Sequence, residues 1–186
     1  MPLKIDNSWT LFLDRDGVVN ERLPGDYVRS FKNFKFIDGT LEALAIFNHI
    51  FGRIIIVSNQ QGIGKGLMTR EEVESIHHDM IDSIQKSGGR IDKVYYSPFL
   101  HSEHHFTRKP SVGMGILAKR EFKEISFRKS IMVGDSKSDM LFGRKLGMKT
   151  VYIGARDEIQ TDYRIINYCF PNLHSFALYL TDSHSF

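Results

Sequence analysis

Trp9-Thr10-Leu11-Phe12-Leu13-Asp14-Arg15-Asp16-Gly17 reads as a short apolar strand stopped abruptly by charge. The acids follow the apolar run with no spacer. Two carboxylates at i and i+2 directly behind a buried strand are costly, because each resists burial and each repels the other. A cation belongs between them, and a hard divalent metal is the natural one. Asp16-Gly17 taken alone is a common turn dipeptide, and a plain turn is then the preferred reading. The weighting changes only if other strand ends carry matching chemistry.

Outward from this stretch the chain alternates strand and helix. Leu41, Leu44, Ala45 and Phe47 have helical spacing within a segment ending at Phe51. Arg53-Ile54-Ile55-Ile56-Val57 is a β-branched run that stops at Ser58. Thr69 and Glu72 have capping-box spacing, so a helix opens there; it runs to Lys86, where Gly88-Gly89 stops it. Val94-Tyr95-Tyr96 reads as a third strand, Val112–Glu124 as a helix, and Ser130–Val133 as a fourth strand closing on Gly134-Asp135. Lys137–Leu146 reads as a helix stopped by Gly147, and Lys149–Ile153 as a fifth strand. A sixth is expected within residues 166–170, and a last helix over Leu173–Leu180. Near-continuously apolar strands alternating with helices argue an α/β fold, a doubly wound parallel sheet covered on both faces. Ligands in such folds bind beyond the carboxyl ends of the strands.

Composition narrows the functional classes. The chain has 186 residues, 41% apolar and 25% charged, which suits one globular domain over residues 1–186. A single cysteine, Cys169, excludes an intramolecular disulfide and a multi-cysteine zinc site. No run approaches the roughly 20 apolar residues of a membrane span. The polar start, Met1 to Asn7, does not read as a signal peptide, so a cytoplasmic protein with no membrane partner is expected. A net charge of +3 is too weak to announce a nucleic-acid surface, though it suits small anions. Oligomeric state has no signature here, and a monomer is expected.

The other strand ends do carry polar residues. After the second strand comes Ser58-Asn59-Gln60-Gln61-Gly62-Ile63-Gly64-Lys65-Gly66. A hydroxyl and an amide there can donate to phosphate oxygens, and the glycines let backbone approach a ligand. The glycine spacing is not that of a Walker A loop, and alone the segment is an ordinary strand-to-helix loop. Arg108-Lys109-Pro110 follows the third strand. Alone it is a solvated loop; functionally, Lys supplies a point charge for a phosphoryl group and Arg a fork for an anion. Gly134-Asp135-Ser136-Lys137-Ser138-Asp139 puts two carboxylates four apart at a strand-to-helix corner. The bland alternative is an N-capping Asp135 with a solvated Asp139.

Taken together, the set resembles the haloacid dehalogenase-like phosphatase superfamily. Asp14-Arg15-Asp16-Gly17 resembles its first motif, Ser58 its second, Lys109 its third, and Gly134-Asp135 with Asp139 its fourth, over about residues 9–155. Phe36-Ile37-Asp38-Gly39, Ser58-Asn59-Gln60, Gly62-Ile63, Tyr95-Tyr96 and Arg108-Lys109-Pro110 sharpen the likeness. They resemble the subfamily of D-glycero-D-manno-heptose 1,7-bisphosphate phosphatases and histidinol phosphatases, the heptose enzymes more closely. The resemblance implies a Rossmann-like core with little or no cap domain. It implies Mg²⁺ held by Asp14, Asp135 and the Asp16 carbonyl. Asp14 is then the nucleophile that becomes an aspartyl phosphate, and Asp16 the acid and base. Ser58 and Lys109 bind the phosphoryl oxygens, and Asp139 orients Lys109 or a metal-bound water. Asp26, Tyr27, Asn59, Gln60, Gln61 and Arg108 are the candidate contacts to a small phosphorylated sugar.

Three departures stand out. The subfamily usually carries a zinc loop of three cysteines and a histidine before Arg-Lys-Pro. Here Ser97 and Phe99 occupy a Cys and a His position and no cysteine precedes Arg108, so no structural zinc is expected. His101, His104 and His105 then read as exposed loop histidines. The substrate-contacting loop, Glu21 to Tyr27, is slightly longer, and Ser136 stands where many heptose enzymes have lysine. These changes leave the reaction class intact and the sugar open: histidinol phosphate, another sugar phosphate, a phosphotransferase or a silent phospho-ligand module are the alternatives. Tyr27, Phe99 and Phe106 read equally as walls of the site or as packing.

Overall fold

The computed structural model describes residues 4–155 and 162–182. Strand β1 (Thr10–Leu13) is buried at all four positions, as its unbroken apolar run demands. Helix α1 (Thr40–Ile50), strand β2 (Arg53–Asn59), helix α2 (Arg70–Lys86) and strand β3 (Lys93–Ser97) follow. Then come α3 (Gly113–Glu121), β4 (Ser130–Gly134), α4 (Lys137–Leu146), β5 (Lys149–Ile153), β6 (Tyr168–Phe170) and α5 (Leu173–Asp182). The strands form one sheet in the order β3-β2-β1-β4-β5-β6. Every pairing is parallel. This is the doubly wound α/β architecture the alternation predicts.

Strand period two sorts the apolar residues into two cores. Leu11, Leu13, Ile54, Ile56, Ile131 and Val133 pack with α1, α2 and α5. Phe12, Ile55, Val57 and Met132 point the other way, against α3 and α4. Burial on both faces explains why these strands lack the alternation of a half-solvated sheet. The winding reverses between β1 and β4. Leu13 pairs with Val133, so both chains leave the sheet side by side at this switch point.

Helix α2 opens on the expected capping box, with Thr69 accepting from Glu72 N–H and Glu72 accepting from Thr69 N–H. Helix α3 ends at Glu121, short of the predicted Glu124: Phe122 turns extended and packs into the second core, and Glu124 pairs with Arg53 at 2.8 Å. β2 continues past Val57 to Asn59, and α5 passes Leu180 to reach Asp182. The first three residues, most of the polar stretch from Glu158, and His184–Phe186 lie outside the described residues. Among the described residues no helix is long and apolar enough to cross a membrane.

Candidate active site

β1 and β4 deliver their acids to one corner. Asp14 N–H donates to Val133 C=O at 2.9 Å, which ties the residue after β1 to the end of β4. Gly17 then turns with φ of 89°, and any Cβ there would run into the Asp135 carboxylate, so the residue has to be glycine. Asp14, Asp135 and Asp139 each offer a carboxylate oxygen, and these lie within 4.8 Å of one another. An all-oxygen set of this charge fits a hard divalent cation. Burial and the neighbouring Asp139 push the Asp14 carboxyl up to about 7, against the pull of Lys109. Burial likewise raises Asp135 to about 6, with Arg22 opposing.

Asp139 is fully buried, not solvated, and the cap of α4 is Ser136 in place of Asp135. Both halves of the bland alternative for this corner fail. Ser136 N–H donates to Asp139 Oδ2 at 3.1 Å, which turns Oδ1 toward Lys109. Lys109 Nζ sits 2.6 Å from Asp139 Oδ1 and 2.9 Å from Asp14 Oδ1. Both are buried ion pairs. Burial works against the ammonium, yet Asp139 and Asp14 together hold its pKa above the ordinary lysine value.

Asp16 faces away from the acid cluster. Its carboxylate accepts from Arg15 at 2.9 Å, Asn20 Nδ2 at 3.0 Å and Gln60 Nε2 at 2.8 Å. Burial would raise it, but these donors, Arg15 first, hold it below the usual carboxylate range. Its carbonyl oxygen accepts from Arg22 at 3.2 Å. Arg15 is itself buried and reaches His77 Nε2 at 3.1 Å. Burial, then Arg15, depress that imidazole to about 3, so His77 is a neutral partner at physiological pH.

The expected substrate contacts divide. Asp26, Tyr27, Asn59, Gln61 and Arg108 line a cavity of about 400 Å³, which Asp14, Asp16 and Lys109 also line. Gln60 does not face it as expected. Both its amide hydrogens are used, on Asp16 and on Ser58 Oγ, so it positions and does not grip. Ser58 is buried and accepts from Gln60 at 2.8 Å, keeping its own proton to donate. Asn59 exchanges two hydrogen bonds of 3.0 Å with the Lys109 backbone and so fixes that residue to the end of β2. Asp26 is tied to Arg29 at 2.7 Å. Arg22, Lys65, Ser136 and Ser138 also line the cavity, and none was singled out from sequence as a ligand contact. Arg22 carries no periodicity or motif spacing that would have found it.

The loop before Arg108 is held by a ring stack and hydrogen bonds. Phe99 and His105 stack with centroids 3.4 Å apart. His105 Nδ1 meets Thr107 Oγ1 at 2.8 Å, and that hydroxyl donates to Ser97 Oγ at 3.2 Å. His105 is therefore half-buried, contrary to the exposed-loop expectation, while His101 and His104 are exposed. Arg108 donates to Phe99 C=O at 2.9 Å and to Gln61 at 3.2 Å. Phe99 and Phe106 pack and are exposed, respectively; Tyr27 alone of the three aromatics lines the cavity.

Known proteins resemble this chain in sequence and in fold. The sequence profile of the family described as "Polynucleotide kinase 3 phosphatase" matches residues 10–170. A D-glycero-alpha-D-manno-heptose-1,7-bisphosphate 7-phosphatase from Mycobacterium bovis is 37% identical over 134 residues, 72% of this chain and 70% of that protein. A D-glycero-beta-D-manno-heptose-1,7-bisphosphate 7-phosphatase from Vibrio cholerae is 35% identical over 75% of this chain and 77% of that protein. A solved D,D-heptose 1,7-bisphosphate phosphatase from B. bronchiseptica, complexed with magnesium and phosphate, superposes with a TM-score of 0.84. That match covers 94% of this chain and 98% of the other at 23% identity, a likeness of fold.

Proposed function

The chain belongs to the haloacid dehalogenase-like phosphatases, in the family described as polynucleotide kinase 3 phosphatase, and on that premise we propose that it is a magnesium-dependent phosphomonoesterase acting on D-glycero-D-manno-heptose 1,7-bisphosphate at the 7-phosphate. One observation carries the reading: Lys109 Nζ lies 2.9 Å from Asp14 Oδ1, beside three carboxylates whose oxygens fall within 4.8 Å. Asp14, Asp135 and the Asp16 carbonyl would hold the magnesium. When bound, the ion supplies charge neutralisation between the Asp14 carboxylate and an incoming phosphate dianion.

The chain's own groups do the rest. An Asp14 oxygen attacks phosphorus in line, and the bond from phosphorus to the sugar oxygen breaks. Asp16 gives its proton to that oxygen. Water then attacks the aspartyl phosphate, Asp16 takes the proton back, and inorganic phosphate leaves. The three donors around Asp16 favour its anion, which suits the second half-reaction. An incoming phosphate pushes the other way and raises the carboxyl, which suits the first. Lys109 and Ser58 stabilise the charge that spreads over the phosphoryl oxygens. Arg108, Lys65 and Arg22 share the cavity, which supports a substrate with a second phosphate. On this reading the chain is one domain that works as a cytoplasmic monomer.

Steady-state kinetics on both anomers of the heptose bisphosphate, on histidinol phosphate and on a panel of sugar phosphates test the reading. The expected result is a kcat/KM for one heptose anomer at least about 100-fold above histidinol phosphate. A preference for histidinol phosphate would move the chain to the other branch of the subfamily. Magnesium binding without turnover on any substrate would leave a silent binding module.

A further inference from the structure

Arg22 reaches the acid corner from a loop, whereas the other charges arrive on strand ends. One guanidinium nitrogen donates to Asp135 Oδ1 at 2.8 Å and to the Asp16 carbonyl oxygen at 3.2 Å. On the magnesium reading above, which this inference rests on, those are two of the three groups that hold the metal. A divalent cation held by these two oxygens would have to share them with a guanidinium nitrogen that already donates to both, and like charges that close repel strongly. One of the two cations has to leave.

The exposures decide which cation is movable. Lys109 is 1% exposed and enclosed between Asp14 and Asp139, so it stays. The Arg22 side chain is 54% exposed, so leaving costs it little burial and only a solvent-screened ion pair. The same side chain lines the cavity that also carries Lys65 and Arg108, so it has an anion-facing wall to move along.

We propose that Arg22 is a resident counter-cation of the acid corner, which holds Asp135 and the Asp16 carbonyl together until a divalent metal displaces it. Metal loading is then an exchange of one cation for another, and the metal affinity of the protein is lower than the oxygen ligands alone would give.

Titration calorimetry with MgCl₂, in the absence of phosphate, tests this on the full chain. Arg22→Met keeps the length and removes the charge. It should bind magnesium roughly 1.5- to fivefold more tightly than the wild type, the range expected when a screened ion pair no longer has to be broken. Arg22→Lys, which has one donor point in place of a fork, should fall between the two. Lys35→Met is the control, since Lys35 pairs with Glu21, the residue before Arg22, and stays outside the corner. Its magnesium affinity should match the wild type. Equal or weaker binding by Arg22→Met overturns the proposal. So does equal tightening by Lys35→Met, which would reduce the effect to net charge. Magnesium heats absent from every protein would overturn both this proposal and the magnesium reading; binding that is indifferent to Arg22 would sink this proposal alone.

Discussion

The acid corner and the loop of residues 98–108 meet at Lys109, and they are held together by opposite means. At the corner three carboxylates crowd within 4.8 Å, and burial and mutual repulsion lift Asp14 to about 7 and Asp135 to about 6. Among the described residues, Lys109 and Arg22 are the cations paired with these carboxylates, and the Arg15 and Ser136 N–H groups donate to Asp14 and Asp139. The loop carries a ring stack, a Thr107 hydroxyl bonded to two neighbours, and one arginine on a backbone carbonyl. The corner therefore costs stability and keeps chemistry; the loop contributes stability and keeps position. Repulsion of this kind is stored at functional sites and compensated by the surrounding fold.

The largest effect that separates the two regions is expected at Asp14. Asp14→Asn keeps the shape of the side chain and removes the nucleophile's charge. Turnover of p-nitrophenyl phosphate should fall by at least about 10³-fold. The melting temperature of the protein in EDTA should hold steady or rise, because one buried repulsive charge is gone. A wild-type rate would remove Asp14 from the chemistry. A large fall in melting temperature would mean that the corner stabilises the fold, and the contrast with the loop would be lost.

A pH series sharpens the same contrast. Asp14 and Asp135 have folded-state pKa values raised above the unfolded value near 4, so the folded state binds their protons more readily than the unfolded state does. Their contribution to stability is most favourable below about 4 and declines as pH rises through about 6 and 7. Magnesium takes the ionised carboxylates, so the melting-temperature gain from added MgCl₂ should grow between pH 5 and about 7.5. Scanning calorimetry with EDTA or MgCl₂ at each pH measures it. A gain that is flat with pH would detach the metal from these two acids.

What the sequence disclosed follows the same division. The strand ends were legible because an apolar run that stops on a polar side chain is a local signal: β1 and β4 run into aspartates, and β2 into Ser58. The capping box at Thr69 was legible for the same reason. Ser136 capping α4 was missed because Asp135, one residue earlier, is as good a cap by type; the choice is made by Asp139 turning inward to Lys109. Gln60 reads as a substrate contact because polar residues at a strand end look alike, and Asn59, which does line the cavity, also fixes the Lys109 backbone. Their hydrogen bonds to Asp16, Ser58 and the Lys109 backbone depend on chain segments about 44 to 50 residues away or on fine geometry. Arg22 lies in the loop from Glu21 to Tyr27 that the resemblance marks as substrate-contacting, but its pairing with Asp135, 113 residues on, has no local signal. Arg15 lies between the two acids of the first motif with no signal of its own, yet it is among the largest buried side chains and donates to Asp16.

The smallest expected effect belongs to the loop, at His105. His105→Ala removes the stack on Phe99 and the contact with Thr107. Stacking of this kind contributes about 0.5–1.5 kcal/mol and a hydrogen bond a similar amount, so the melting temperature should fall by roughly 3–6 °C for a chain of this size. Phe99 C=O anchors Arg108, so KM for a bisphosphate should rise. The rate constant should stay within about threefold of the wild type, because Asn59 still clamps the Lys109 backbone to β2. Thermal unfolding and steady-state kinetics on the one variant read both. If kcat collapses along with KM, the ring stack is holding Lys109 as well as Arg108, and the loop shares in the chemistry that the corner was taken to keep for itself.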